Sequence, residues 1–128
     1  MFYSLGTLKY SEDPYKLIVE VDQQLSDYYR AMVPAYVNLR KPMYGAHISV
    51  IRKETPLHLD DWALYEGHRV LFEYENTIYN DETYYWLNAW SLELEVIRKE
   101  LGLEPTSDVT YSPDGMHKFH ITIGNLKK

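Results

Sequence analysis

His47-Ile48-Ser49-Val50-Ile51 and His120-Ile121-Thr122-Ile123-Gly124 are two short aliphatic stretches, each opened by a histidine with a hydroxyl residue two places on. Side chains alternate across a strand, so in each stretch imidazole and hydroxyl share one face and the branched aliphatics take the other. Each reads as a strand that buries its aliphatic face against a helix and presents His and Ser or Thr on the opposite side. A single His-x-Ser/Thr is a weak signal, because a structural histidine satisfied by its neighbours is the commoner explanation of one short motif. Two of them, each within an aliphatic strand and each downstream of a helix, form a constellation that a core has no reason to build twice.

Outward from these strands the chain repeats one plan. Phe2 to Tyr10 predicts a strand, Ser11-Glu12-Asp13-Pro14 a turn, and Tyr15 to Val21 a second strand. Asp22 is an N-cap for a helix carrying Leu25, Tyr28, Tyr29 and Met32, ended by Pro34, and Ala46 to Lys53 is the third strand. The second half gives the same order. Arg69 to Glu75 and Thr83 to Trp90 read as strands around the turn residues Asn80-Asp81, and Ser91 caps a helix with Leu94, Ile97 and Leu101 on one face and Gly102 closing it. A loop with Pro113-Asp114-Gly115 then leads to the last strand, Lys118 to Ile123. The expectation is an α+β single domain over residues 1–128, two strand-strand-helix-strand pseudo-repeats at roughly 1–55 and 68–128 around a central cleft.

Bulk properties narrow the function. At 128 residues the chain holds one core. No apolar run reaches membrane-spanning length and the first residues lack a secretory pattern. The absence of cysteine excludes disulfides, thiolate metal sites and a thiol nucleophile, and fits a reducing cytoplasm. A net charge of −6 argues against capture of long duplex nucleic acid, which needs a basic face, yet leaves room for a small phosphate ligand held by a few local cations. The 13 tyrosines supply flat faces for stacking a base, though strand-rich chains favour Tyr in any case.

Cleavage of a ribose phosphodiester needs a base to take a proton and an acid to protonate the leaving oxygen, and histidine can do either. His47 and His120, one from each half, suit opposite sides of a phosphorus, while Ser49 and Thr122 can donate hydrogen bonds to its non-bridging oxygens. No metal or other cofactor is required by this scheme.

The duplicated motif at His47, Ser49, His120 and Thr122 resembles that of the two-histidine (2H) phosphoesterase superfamily, which includes LigT-type RNA phosphodiesterases. The specific match is these two strands, with the rest of the chain fitting in outline; Ser49 stands where Thr is commoner, a conservative difference. The resemblance implies a bilobed α+β LigT-like fold and metal-free action on 2′,3′-cyclic phosphates or on 2′–5′ and 3′–5′ linkages. It implies a nucleotide or short oligonucleotide as partner. The short chain, its acidity and its tyrosines suit the phage anti-CBASS branch, whose members degrade cyclic oligonucleotide signals such as cyclic dinucleotides, in which case the compartment is the host cytoplasm.

Other residues are candidates beside a blander reading. Lys53 falls on the His47 face if strand alternation continues, and can neutralise phosphate at a cleft edge; Arg40, Lys41, Arg52 and Lys118 are further cations, any of them able to be merely solvated. Tyr44 can stack on a base or bond the phosphate, with Tyr10 and Tyr111 of similar status, while Trp86 and Trp90 read as sheet-packing residues rather than a base platform. His117 and His120 have a spacing that suits metal on a helix but points apart on a strand, and His58 and His68 read as surface. The competing readings are a nucleotide- or RNA-binding module of the same fold without turnover, and an interaction protein whose histidines are incidental.

Overall fold

Turn chemistry and β-branched runs divide the chain much as expected, in a computed structural model that describes residues 1–105 and 119–127. Strands β1 (Phe2–Ser11) and β2 (Lys16–Glu20) form a hairpin in which Leu8 faces Val19. Helix α1 (Gln23–Arg30) follows, its first turn capped by the Asp22 carboxylate, which accepts from the Gln24 amide at 2.9 Å. The expected helix through Met32 stops at Arg30, because Pro34 disfavours helical backbone at the residue before it and the chain leaves early for a 3₁₀ turn at Ala35–Val37. Strand β3 is His47–Ile51.

The second half supplies β4 (Arg69–Tyr74), a two-residue β5 (Tyr79–Asn80), β6 (Tyr84–Trp90), helix α2 (Leu92–Glu100) and β7 (Phe119–Asn125). The short β5, which overlaps the expected Asn80-Asp81 turn at Asn80, pairs Tyr79 with Trp86. The loop at 113–115 and Lys118, Tyr111 and His117 lie outside the described residues.

The sheet runs β4-β1-β2-β3-β7-β6-β5, and an additional β4–β6 pairing closes it into a barrel, every pairing antiparallel. Each half therefore contributes three strands to one closed barrel, β1-β2-β3 and β4-β6-β7, joined edge to edge along β1–β4 and β3–β7. The expected α+β class holds. The strands of the two halves pair into a single closed wall.

One face of that wall is the core. Leu8, Val19, Ile48, Ile121 and Leu87 follow one another across five strands in register and are all fully buried. Leu94, Ile97 and Leu101 of α2 and Tyr29 of α1 join the same cluster. Each helix reaches across to the other half: α1 packs on β7, and α2 on β3 as well as on β4 of its own half. Gly124 closes the second motif for a steric reason, since a Cβ there would meet the Leu39 side chain at 2.4 Å and the Arg40 carbonyl oxygen at 2.8 Å. Arg40 and Asn125 then bridge the 38–40 loop to the end of β7. Among the described residues no helix is long and apolar enough to cross a membrane.

Ser91 ties α2 to the wall twice, its hydroxyl accepting from the Leu94 amide at 3.3 Å and donating to the Leu71 carbonyl at 2.9 Å. We expect Ser91→Ala to destabilise the fold by about 1–2 kcal/mol, the range for loss of an N-cap, read as a lower urea midpoint with an unchanged slope. An unchanged midpoint would show that this cap contributes nothing.

Candidate active site

The β3–β7 pairing sets the geometry of the two motifs. Its register places Ile48 opposite Ile121. One residue to either side, an antiparallel ladder sets His47 opposite Thr122 and Ser49 opposite His120. Each imidazole thus faces the hydroxyl of the other motif, and the two histidines stand on a diagonal, where neighbours lie about 7–8 Å apart. All four are half-buried, whereas Ile48, Val50, Ile121 and Ile123 on the reverse face are buried. The alternation expected from sequence is what the wall shows at both motifs.

The flanking strands extend this face. Glu20 lies beside His47 and Ile18 beside Ser49, while Asn88 lies beside His120 and Trp86 beside Thr122. Lys9 sits next to Ile18 and its ammonium stands 3.9 Å from the Glu20 carboxylate.

Each histidine has a defined setting. The His47 Nδ1 lies 2.9 Å from the Gly45 carbonyl oxygen, so a proton on Nδ1 is donated there and Nε2 is the nitrogen left for chemistry. Gly45 turns through a left-handed conformation, φ +79°, just ahead of the strand. The His120 ring stands 5.4 Å from the Trp86 ring, inclined at 49°. Trp86 donates from its indole to the Asn88 Oδ1 at 3.2 Å, and Asn88 in turn donates to the Glu75 carboxylate at 3.1 Å. Tyr79 stacks on the outer side of Trp86, 6.3 Å between centroids. Its phenol is held above the usual tyrosine range, first by its hydrogen bond to Glu75, then by desolvation and by the charge of that carboxylate.

The other expected residues divide. Tyr44, exposed, carries the Lys16 ammonium 5.4 Å from its ring centre, which links the loop before β3 to the start of β2. Lys53 is not placed on the His47 face by alternation. A register shift at Leu17/Ile18 leaves both Val50 and Ile51 buried, β3 ends at Ile51, and Lys53 follows in a left-handed turn, φ 57°. Tyr10 belongs to the opposite side of the wall, because it shares the parity of Leu8. It packs edge-on against Trp62 and lines a cavity of about 510 Å³ with Asp60, Asp61 and Glu100. Its phenol is pushed up to about 12, first by burial and then by Tyr65, Glu66 and Glu100. Arg40, Lys41, Arg52, His58 and His68 are exposed.

Trp86 and Trp90, read together from sequence as packing residues, separate: Trp90 is buried, while Trp86 borders His120 and remains partly open. The alternation of Trp86 with Asn88 was visible in the sequence, but that β6 lies against β7 was not. Gly45, Lys9 and Lys16 were likewise passed over, the last two because only sheet order brings them to this face. Among the described residues no group of three or more His, Cys, Asp or Glu is placed to hold a metal ion.

The arrangement offers two imidazoles, two hydroxyls, an aromatic platform on one side and lysines on the other. If the Trp86 ring lies over His120 as described, Trp86→Ala will move the ring-proton resonances of His120 through loss of ring current and leave those of His47 nearly in place. Equal shifts at both, or none at either, would contradict the placement.

No protein-family model, curated protein or solved structure matches this chain.

Proposed function

We propose that the protein is a metal-independent phosphodiesterase of the two-histidine type, acting on a nucleotide or short oligonucleotide. The observation that carries this reading is the cross-strand diagonal at the β3–β7 seam, with each histidine opposite the other motif's hydroxyl. A span of about 7–8 Å between diagonal neighbours leaves room for one phosphoryl group between the rings.

In the reaction, one imidazole takes the proton of the attacking hydroxyl, from water or from the neighbouring ribose, as its oxygen bonds to phosphorus. The other imidazole, starting protonated, gives its proton to the ribose oxygen that leaves as its bond to phosphorus breaks. The Ser49 and Thr122 hydroxyls donate to the non-bridging oxygens, where charge grows. The Trp86–Tyr79 stack accepts a base face, and its hydrogen bond to Asn88 keeps the indole from turning away.

The substrates that fit are a cyclic oligonucleotide signal, such as a cyclic dinucleotide, or a 2′,3′-cyclic or 2′–5′ RNA linkage. The strand-strand-helix-strand order, repeated in the second half with the two-residue β5 inserted, supports a LigT-like relationship, and action on a cyclic dinucleotide would support a phage anti-CBASS role. The stack would also serve a module that retains a nucleotide without turning it over, which is the second reading.

Initial rates on 2′,3′-cyclic mononucleotides and cyclic dinucleotides decide between them. We expect turnover that EDTA leaves unchanged, with a bell-shaped pH profile whose limbs belong to the coupled pair of imidazoles. His47→Ala and His120→Ala should each lower the rate by about 10²–10⁴-fold, and Ser49→Ala or Thr122→Ala by on the order of 10²-fold. Trp86→Ala should raise KM roughly tenfold or more through loss of stacking. Binding without turnover would favour the second reading, and strict dependence on a divalent ion would recast the histidines as ligands.

A further inference from the structure

At the two ends of the seam that carries both motifs, helix side chains anchor the strands where strand pairing does not. Along β1–β2, β1–β4 and β6–β7 the register runs for five residues or more, but along β3–β7, among the described residues, it comprises Ile48 and Ile121 alone. Groups that a longer ladder would pair are taken instead by the helices.

At one end, the Arg30 guanidinium of α1 donates to the Ile123 carbonyl of β7 at 3.1 Å, and the Ala46 amide just before β3 donates to the Gln23 side-chain oxygen at 2.9 Å. Asp27 joins the two, accepting from the Gln23 amide at 3.0 Å and from Arg30. Gln23, Asp27 and Arg30 lie on one face of α1, so a single helix face spans the gap between the start of β3 and the end of β7. The Asp27 carboxyl is held below the usual range, first by its bond from Gln23 and then by Arg30.

At the other end, the fully buried Arg98 of α2 donates to the Val50 carbonyl of β3 at 2.6 Å, to the Glu104 carbonyl at 2.6 Å, and through a two-pronged contact to Glu54 at 2.8 Å. The two ends mirror each other. Val50 and Ile123 each stand three residues after a motif histidine, and each is held by an arginine from the helix of the opposite half.

We propose that Arg30 and Arg98 are positioning residues, which fix the spacing and relative tilt of the His47 and His120 strands by anchoring each strand to the other half's helix. The inference rests on the reading of His47 and His120 as the reacting pair. A seam with one registered residue pair can twist or slide, and two imidazoles that must address one phosphorus from opposite sides tolerate little of either. A planar fork that binds a carbonyl and a carboxylate at once resists such movement better than a lone ammonium.

The test uses Arg98→Lys, which keeps a cation beside Glu54, and Arg30→Met, which removes the donor to the Ile123 carbonyl and to the partly exposed Asp27, the latter keeping its bond from Gln23. Both are assayed at a temperature where denaturation curves show each variant fully folded, on whichever 2′,3′-cyclic mononucleotide or cyclic dinucleotide the native protein turns over. We expect kcat to fall about tenfold or more with KM within twofold, and the imidazole ¹H–¹⁵N resonances of both His47 and His120 to move. A structural role alone would leave kcat and both histidines' resonances unchanged in the folded protein, and that result would overturn the proposal. The resonances also separate the two claims: if the native protein turns over none of these probes, shifts at both histidines retain the anchoring and dismiss the phosphodiesterase reading. Unshifted resonances dismiss the anchoring whatever the activity. Should Arg98→Lys fail to fold, Arg30→Met gives the same decision from the other end of the seam.

Discussion

A barrel assembled from two three-stranded halves has to close along two seams, and here the seams are unequal. The β1–β4 seam is a six-residue register, Phe2 to Thr7 against Tyr74 to Arg69, while among the described residues β3 meets β7 in register only at Ile48 and Ile121. Those two isoleucines are fully buried and sit in the middle of an apolar row that crosses five strands. Burying such a pair contributes about 1.5–3 kcal/mol per side chain, and it also selects the register, because a slip of one residue between the strands would turn one of the two histidines into the core. The candidate site is the reverse side of this contact. Its composition follows from where the second closure falls.

Near-symmetry of the halves makes the differences on this face informative. His47 and His120 are flanked by Glu20 and Asn88 in the neighbouring strands, and Ser49 and Thr122 by Ile18 and Trp86. An aliphatic residue on one side stands where the other side has an indole backed by Tyr79 and oriented through Asn88 and Glu75. Two equal imidazoles are thus set in unequal surroundings, one polar with lysines nearby and one aromatic. Under the proposed function, a substrate with one base to stack and one phosphate to cleave would bind in a single orientation.

Much of this was legible in the sequence, and the reasons are physical. Alternation over His47–Val50 and Phe119–Ile123 survives because both stretches carry an apolar face turned into the core. Asp22 and Ser91 marked the two helix starts because short polar side chains that satisfy free amides have few other roles there. What failed depended on tertiary pairing. Lys53 was placed by extending alternation past a register shift that the sequence does not signal, and Tyr10 was grouped with the site although its parity on β1 sends it to the other side of the wall. Trp86 gained its place only when β6 came to lie beside β7. The edge-to-edge closure of the halves also needed the sheet order, since strand patterns do not say which edges meet.

The central claim is that one phosphoryl group sits between His47 and His120 on the face opposite Ile48 and Ile121. A crystal structure with a non-hydrolysable cyclic nucleotide, such as a phosphorothioate, tests it most directly. The account predicts the phosphorus between the two Nε2 atoms, non-bridging atoms within hydrogen-bond reach of Ser49 and Thr122, and a base against Trp86. A nucleotide bound elsewhere with this face empty, or a phosphate contacting only one of the two histidines, would contradict it.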